Sequence, residues 1–190
     1  MFIRPTKRTG ALYSGSLARG LLLCALAGGL AACSPTFNWR ELRTDGTPLL
    51  ALMPCKPEQA ERTVPLGGAP TRLHMQSCDT GGLTFALAWA ELGDAARAPE
   101  ALAQWRGAAL AAIRVDPALA LNPANQWAAR VPGAAHVQGL TAQGTAHDKQ
   151  PVYMRAVYFA QGRQIYQAAV YSAQRPDAEA VTFFEGLRLP

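Results

Sequence analysis

The sequence predicts an α+β domain, an antiparallel β-sheet covered by helices. Short extended runs punctuated by Gly and Pro fill residues 49–90. A helical stripe follows at 99–114, and a second set of extended runs at 137–171 leads into a closing helix. Strands, helix, strands, helix is the order expected when helices cover an antiparallel sheet rather than connect parallel strands.

Leu49–Met53 is a short apolar run ended by Pro54 and reads as a strand. Pro54 and Pro57 interrupt regular pairing, and Ala60–Leu66 reads as an edge-like strand. Gly67-Gly68-Ala69-Pro70 predicts a turn, and Thr71–Cys78 resumes extended structure. After the turn at Thr80-Gly81-Gly82 comes the clearest strand, Leu83–Ala90. Leu83, Phe85, Leu87 and Trp89 alternate there with Thr84, Ala86, Ala88 and Ala90. Period-two alternation sends the large set to one face. The small set is left for a closely packed helix or for solvent.

Pro99 in a first turn opens a helix running to about Arg114, with Glu100 favourable near its positive end. Leu102, Trp105, Ala109 and Ile113 share one face at helical spacing. Asp116-Pro117 and Asn122-Pro123 then break the chain, and Trp127 lies in a segment of no clear type. A three-strand meander follows. His136–Ala146 is its weakest member, diluted by Gly139 and Gly144, and Val152–Phe159 is apolar on both faces like a central strand. Gln161-Gly162 reads as a two-residue hairpin turn before Arg163–Tyr171. Pro176-Asp177 starts a final helix to about Glu185, docked by Val181, Phe184 and Leu187, with Gly186 as its C-terminal cap.

The formal charge of +5 is misleading as a nucleic-acid signal. Residues 1–32 hold Arg4, Lys7, Arg8 and Arg19 and no acid, leaving 14 basic and 13 acidic side chains, a net +1, for residues 33–190. A nearly neutral body has no broad reason to prefer phosphate backbones, so no nucleic-acid partner is expected. Gly20–Ala32 is thirteen residues without a charge, short of the roughly 20 that a spanning helix needs. A basic stretch, a short apolar run and small residues form the pattern of a secretory signal.

The run ends in Leu30-Ala31-Ala32-Cys33, which resembles the lipobox of bacterial lipoprotein precursors. The resemblance implies a removed signal peptide over 1–32, diacylglycerol on Cys33, a lipidated tether over 33–48 and a single α+β domain over 49–190. An ordinary signal peptide and a retained helical anchor are the alternatives. Two or more acyl chains give stable attachment, which makes the membrane a partner through the lipid anchor. Ser34 after the cysteine is similar to the outer-membrane-sorted class, so a periplasm-facing envelope location is expected. Phe37 and Trp39 in the tether are expected to pack on the domain, which keeps it near the bilayer.

With Cys24 in the removed segment and Cys33 lipidated, Cys55 and Cys78 remain as one pair. An oxidising compartment favours a disulfide between them. Two free thiols, or a metal or thiol redox site combining Cys55 and Cys78 with His74, are the alternatives, because His74-x-x-x-Cys78 joins imidazole and soft sulfur near Met53 and Met75.

From about Leu49 to Leu189 the order of elements, with the closing pattern Val181-Thr-Phe-Phe-Glu-Gly-Leu-Arg-Leu189, resembles the PsbP-like α-β-α sandwich, which includes the DcrB-like lipoproteins. The resemblance implies an accessory or binding role. No cofactor is expected. No Gly-x-Ser-x-Gly, His-Glu-x-x-His or phosphate-cradling loop is present. His147-Asp148-Lys149 reads as a solvated turn, and Glu91 and Asp94 as loop ends. Tyr153, Tyr158, Phe159, Tyr166 and Tyr171 read as sheet core, with a ligand groove as the alternative. The expectation is a non-enzymatic domain that binds an envelope protein or component. An envelope enzyme with a dispersed site is its rival.

Overall fold

The computed structural model describes residues 35–175 and 178–190, with side chains for all of these except residues 120 and 121. Residues 1–32 and Cys33, on which the signal and lipidation expectations fall, lie outside the described residues.

Among the described residues, nine strands and two α-helices make a sheet-dominated α+β unit. The strands are β1 (Arg40–Arg43), β2 (Leu50–Met53), β3 (Glu58–Leu66), β4 (Ala69–Thr80), β5 (Leu83–Glu91), β6 (Gln126–Trp127), β7 (Ala135–Thr145), β8 (Pro151–Gln161) and β9 (Gln164–Ser172). The helices are α1 (Ala98–Ala112) and α2 (Ala178–Glu185). The main sheet runs β3-β4-β5-β9-β8-β7-β6, and every neighbouring pair is antiparallel. Two meanders, β3–β5 and β6–β9, therefore lie side by side and join at β5 and β9, with α1 in the connection between them. The β4–β5 hairpin is tight because Gly81 and Gly82 supply φ of 60° and 75°, values that side chains resist.

Alternation along β5 divides the core as the sequence predicts. Phe85, Leu87 and Trp89 lie on one face with Val157, Phe159, Tyr166, Ala168 and Val170. Helix α2 covers this face through Ala180, Phe183 and Phe184, as do Leu49, Ala51 and Met53 of the β1–β2 region. The small residues Ala88 and Ala90 lie on the other face with Met154, Ala156, Tyr158 and Ile165, beneath Ala98, Ala101, Leu102, Trp105 and Leu110 of α1.

Helix α1 stops in a hydrogen-bonded cap. Arg114 N–H bonds to Ala111 O at 3.0 Å and Val115 N–H to Leu110 O at 2.9 Å, with Arg114 at φ 59° where glycine is usual. The carbonyl of Ile113 then accepts the N–H of Thr145 on β7 at 2.8 Å. That approach needs Gly144, since a Cβ there would stand 2.1 Å from Ile113 O. Gly139 has the same role for Trp127, whose carbonyl would be 2.5 Å from a Cβ. The glycines that dilute β7 in the sequence mark places where another backbone lands on it.

Several boundaries differ from expectation. The compact unit begins at Thr36, not Leu49. Part of the segment read as tether is strand β1, whose Arg40 and Arg43 pair with Met53 and Leu50. Phe37 and Trp39 pack on Phe85 at ring distances of 6.3 and 5.8 Å. The β8–β9 loop is Gly162-Arg163, one residue later than read, with Gly162 at φ 57°. Val181 is 40% exposed, because the buried stripe of α2 is Ala180, Phe183, Phe184 and Leu187, at i, i+3, i+4 and i+7. Gly186 does not adopt a left-handed conformation. It lets the chain approach Leu52, whose Cβ would be 2.6 Å from a side chain there.

Candidate functional site

Helix α1 does not cover its whole face of the sheet. Beside it, over β3, β4, β5 and β9, a groove of about 370 Å³ remains, within the range of roughly 300–1,000 Å³ usual for ligand pockets. Its floor is made by the small side chains of alternating strand positions, Ala60, Ser77, Ala86 and Ala88. Trp105 of α1, Leu73 and Met75 form an apolar wall. Glu58 and Arg62 of the edge strand place one charge of each sign at the rim.

The far side is polar. Gln167 and Tyr158 are directly opposite on β9 and β8, and Gln167 Nε2 donates to Tyr158 Oη at 2.9 Å. The same amide acts on Tyr171, lowering its pKa against the larger effect of burial. Burial raises the pKa of both phenols, and Arg62 near Tyr171 acts weakly in the opposite direction. Both therefore remain neutral hydroxyls well above neutral pH, unsuited to act as bases. A groove with an alanine floor, an indole wall and uncharged hydrogen-bonding groups offers shape and polarity to a ligand.

Cys55 and Cys78 stand at disulfide distance, with Cα atoms 6.0 Å apart. Cys78 faces the α2 side of the sheet within the core, so the pair joins the segment after β2 to β4. His74 is four residues from Cys78 on β4. At a strand rise of about 3.4 Å per residue, their Cα atoms are about 14 Å apart, too far for imidazole and sulfur to bind one metal. His74 stacks on Trp89 at 5.2 Å and its Nδ1 meets Glu61 at 2.8 Å. Among the described residues, no group of three or more His, Cys, Asp or Glu is arranged to hold a metal ion.

The other polar candidates are dispersed. Asp148 Oδ1 accepts the N–H of Gln150 at 3.1 Å and Lys149 has φ 67°, which makes His147-Asp148-Lys149 a hairpin turn. Glu91 pairs with Arg163, and Asp94 accepts Ala96 N–H at 2.9 Å, capping the turn before α1. His74 is on β4 and His136 on β7, four strands away and about 19 Å across the sheet at the usual strand spacing. Of the five aromatics, only Tyr171 lines the groove, with Tyr158 fully buried at its edge. Phe159 and Tyr166 stack at 4.8 Å in the α2-side core. Trp105 is the groove residue that its sequence pattern concealed, because it sits in a helix stripe that reads as core. The run of small residues on β5 was the available signal.

Comparison with family models found no match, and neither the curated proteins nor the solved structures gave one. No helix among the described residues is long and apolar enough to cross a membrane.

Proposed function

We propose that this chain is the precursor of a bacterial envelope lipoprotein, lipidated at Cys33, whose domain is a non-catalytic binding module of PsbP-like α-β-α type. The observation that carries the reading is the lipobox Leu30-Ala31-Ala32-Cys33 at the end of a basic and then apolar segment. The Cys55–Cys78 pair at disulfide distance supports it, because such pairs persist in oxidising compartments. Two helices on opposite faces of one antiparallel sheet support the finer fold assignment. The groove beside α1 is the proposed seat for the envelope component that the domain binds.

Intact mass of the protein extracted from membranes tests the anchor. The expected mass is that of residues 33–190 plus lipid, and an uncut or unlipidated mass overturns it. Ala86→Trp fills the groove floor. It is expected to abolish crosslinked capture of the partner, with melts of the same variant checking that the half-buried strand position still supports a folded domain. Undiminished capture would remove the groove from the reading.

A further inference from the structure

Strand β3 is one outer edge of the main sheet, and no strand among the described residues pairs with its free side. Its pairing with β4 runs from Glu58↔Ser77 to Leu66↔Ala69 without a bulge. Residues 58–63 are all exposed. A long, regular, exposed edge is a template for another strand. The ladder fixes which of its main-chain groups are open. Gly67-Gly68 is a two-residue hairpin loop with φ of 60° and 75°, so Leu66 and Ala69 form its hydrogen-bonded closing pair. Bonded and non-bonded pairs then alternate, and Glu58, Ala60, Arg62 and Val64 bond inward to β4. Gln59, Glu61, Thr63 and Pro65 turn their main-chain groups outward. Pro65 and Pro70, neither with an N–H, face each other in the non-bonded set, as this alternation requires. Glu58 and Arg62 are on the α1 face with Ser77 and Leu73, and neither has an ion-pair partner among the described residues. Glu61, by contrast, already meets His74 and Arg72 of its own chain.

We propose that β3 pairs antiparallel with β3 of a second copy of this chain, about a two-fold axis through Ala60 and normal to the sheet. Such an axis keeps residues of the same face opposite one another, so the register must centre on a residue. Centred on Ala60, Gln59 stands opposite the partner's Glu61, and the two exchange both main-chain hydrogen bonds. Glu58 stands opposite the partner's Arg62 as a non-bonded pair, the kind whose side chains are closest. Symmetry makes each of these pairs twice. Centring on Glu61 or Arg62 would instead set that residue's charge against itself. Centring on Thr63 or Val64 would bring Pro65, which has no N–H, opposite a residue that needs one. Centring on Gln59 would place Lys56 against the partner's Arg62. Charge and main-chain bonding therefore select the same register. Glu58, Ala60 and Arg62 also line the α1 groove, so the partner's Glu58 and Arg62 would extend its rim. The pairing rests neither on the lipid anchor nor on occupancy of the groove.

Sedimentation velocity of the purified protein over a concentration series tests the pairing. The expected result is a reversible dimer with a Kd below about 1 mM. Arg62→Glu and Glu58→Arg each set like charges opposite one another at exposed positions, and each should raise the Kd about tenfold without lowering the melting temperature. An equimolar mixture of the two variants restores opposite charges in both pairs and should dimerise as tightly as the unmodified protein. A protein that stays monomeric at about 1 mM overturns the inference and leaves the edge to a strand of another protein. A dimer indifferent to both substitutions overturns it too, as does a mixture that associates no better than its components.

Discussion

At the scale of single residues, the close approaches set the tolerances. Gly144→Ala would place a methyl against the Ile113 carbonyl, a backbone atom that cannot yield without moving the end of α1. Overpacking of this kind costs about 1–3 kcal/mol, and chemical denaturation should show a loss in that range. The Cys55–Cys78 pair spans 23 residues, so Cys78→Ser, or reduction of the protein, should lower stability by about 3 kcal/mol on the chain-entropy account. Matched melts with and without reductant measure it. Tyr158, Tyr166 and Tyr171 all have pKa values raised by burial. Below pH 10 they are neutral in both folded and unfolded chains, and their stabilising effect is complete. Above it the unfolded chain ionises first, so stability falls as pH rises, by up to about 1.4 kcal/mol per pH unit for each tyrosine. Unfolding midpoints taken from pH 9 to 11.5 should decline, and Tyr171→Phe should flatten the decline.

At the scale of elements, helix α1 ends on an arginine in a left-handed conformation, where glycine carries no steric cost. Arg114→Gly should therefore be neutral or stabilise by up to about 1 kcal/mol, despite removing a surface cation. The stripe of α2 gives a sharper contrast. Phe183→Ala should cost about 3–5 kcal/mol, whereas Val181→Ala should stay within about 0.5 kcal/mol. Thermal melts of the two variants distinguish this face from the one containing Val181. Most elements were legible in the sequence because period-two and helical alternation directly encode burial, as in Leu83–Ala90 and in Leu102, Trp105 and Ile113. What escaped had no such period. Strand β1 is Arg-Glu-Leu-Arg, a charged run held by pairing with β2. Strand β6 is two residues that pair with Leu140 and Gly139 of β7. Both depend on a distant partner that local pattern does not reveal.

At the scale of the molecule, a helix that covers only part of its sheet face leaves a groove over small residues, and an open edge strand borders it. The sequence showed the material of the groove, the alanines of β5, but not which neighbours the sheet order would gather. Trp105, Met75 and Gln167 come from three elements distant in the chain. Strand order also separates His74 from His136, and the length of β7 separates His136 from His147, which local spacing alone could not decide.

The start of the folded unit carries a mechanical consequence. Asn38 N–H bonds to Pro54 O at 2.8 Å, and the Phe37 ring lies where a side chain on Gly81 would otherwise stand. The chain is thus pinned from Thr36 onward. On the proposed lipid attachment at Cys33, only three residue steps, about 10 Å fully extended, separate the acyl-bearing atom from the pinned end. Such a leash cannot send the domain across an aqueous gap. Its encounters would be those of a particle confined to a plane, governed by lateral diffusion and surface density, and any partner would have to reach that plane to be met.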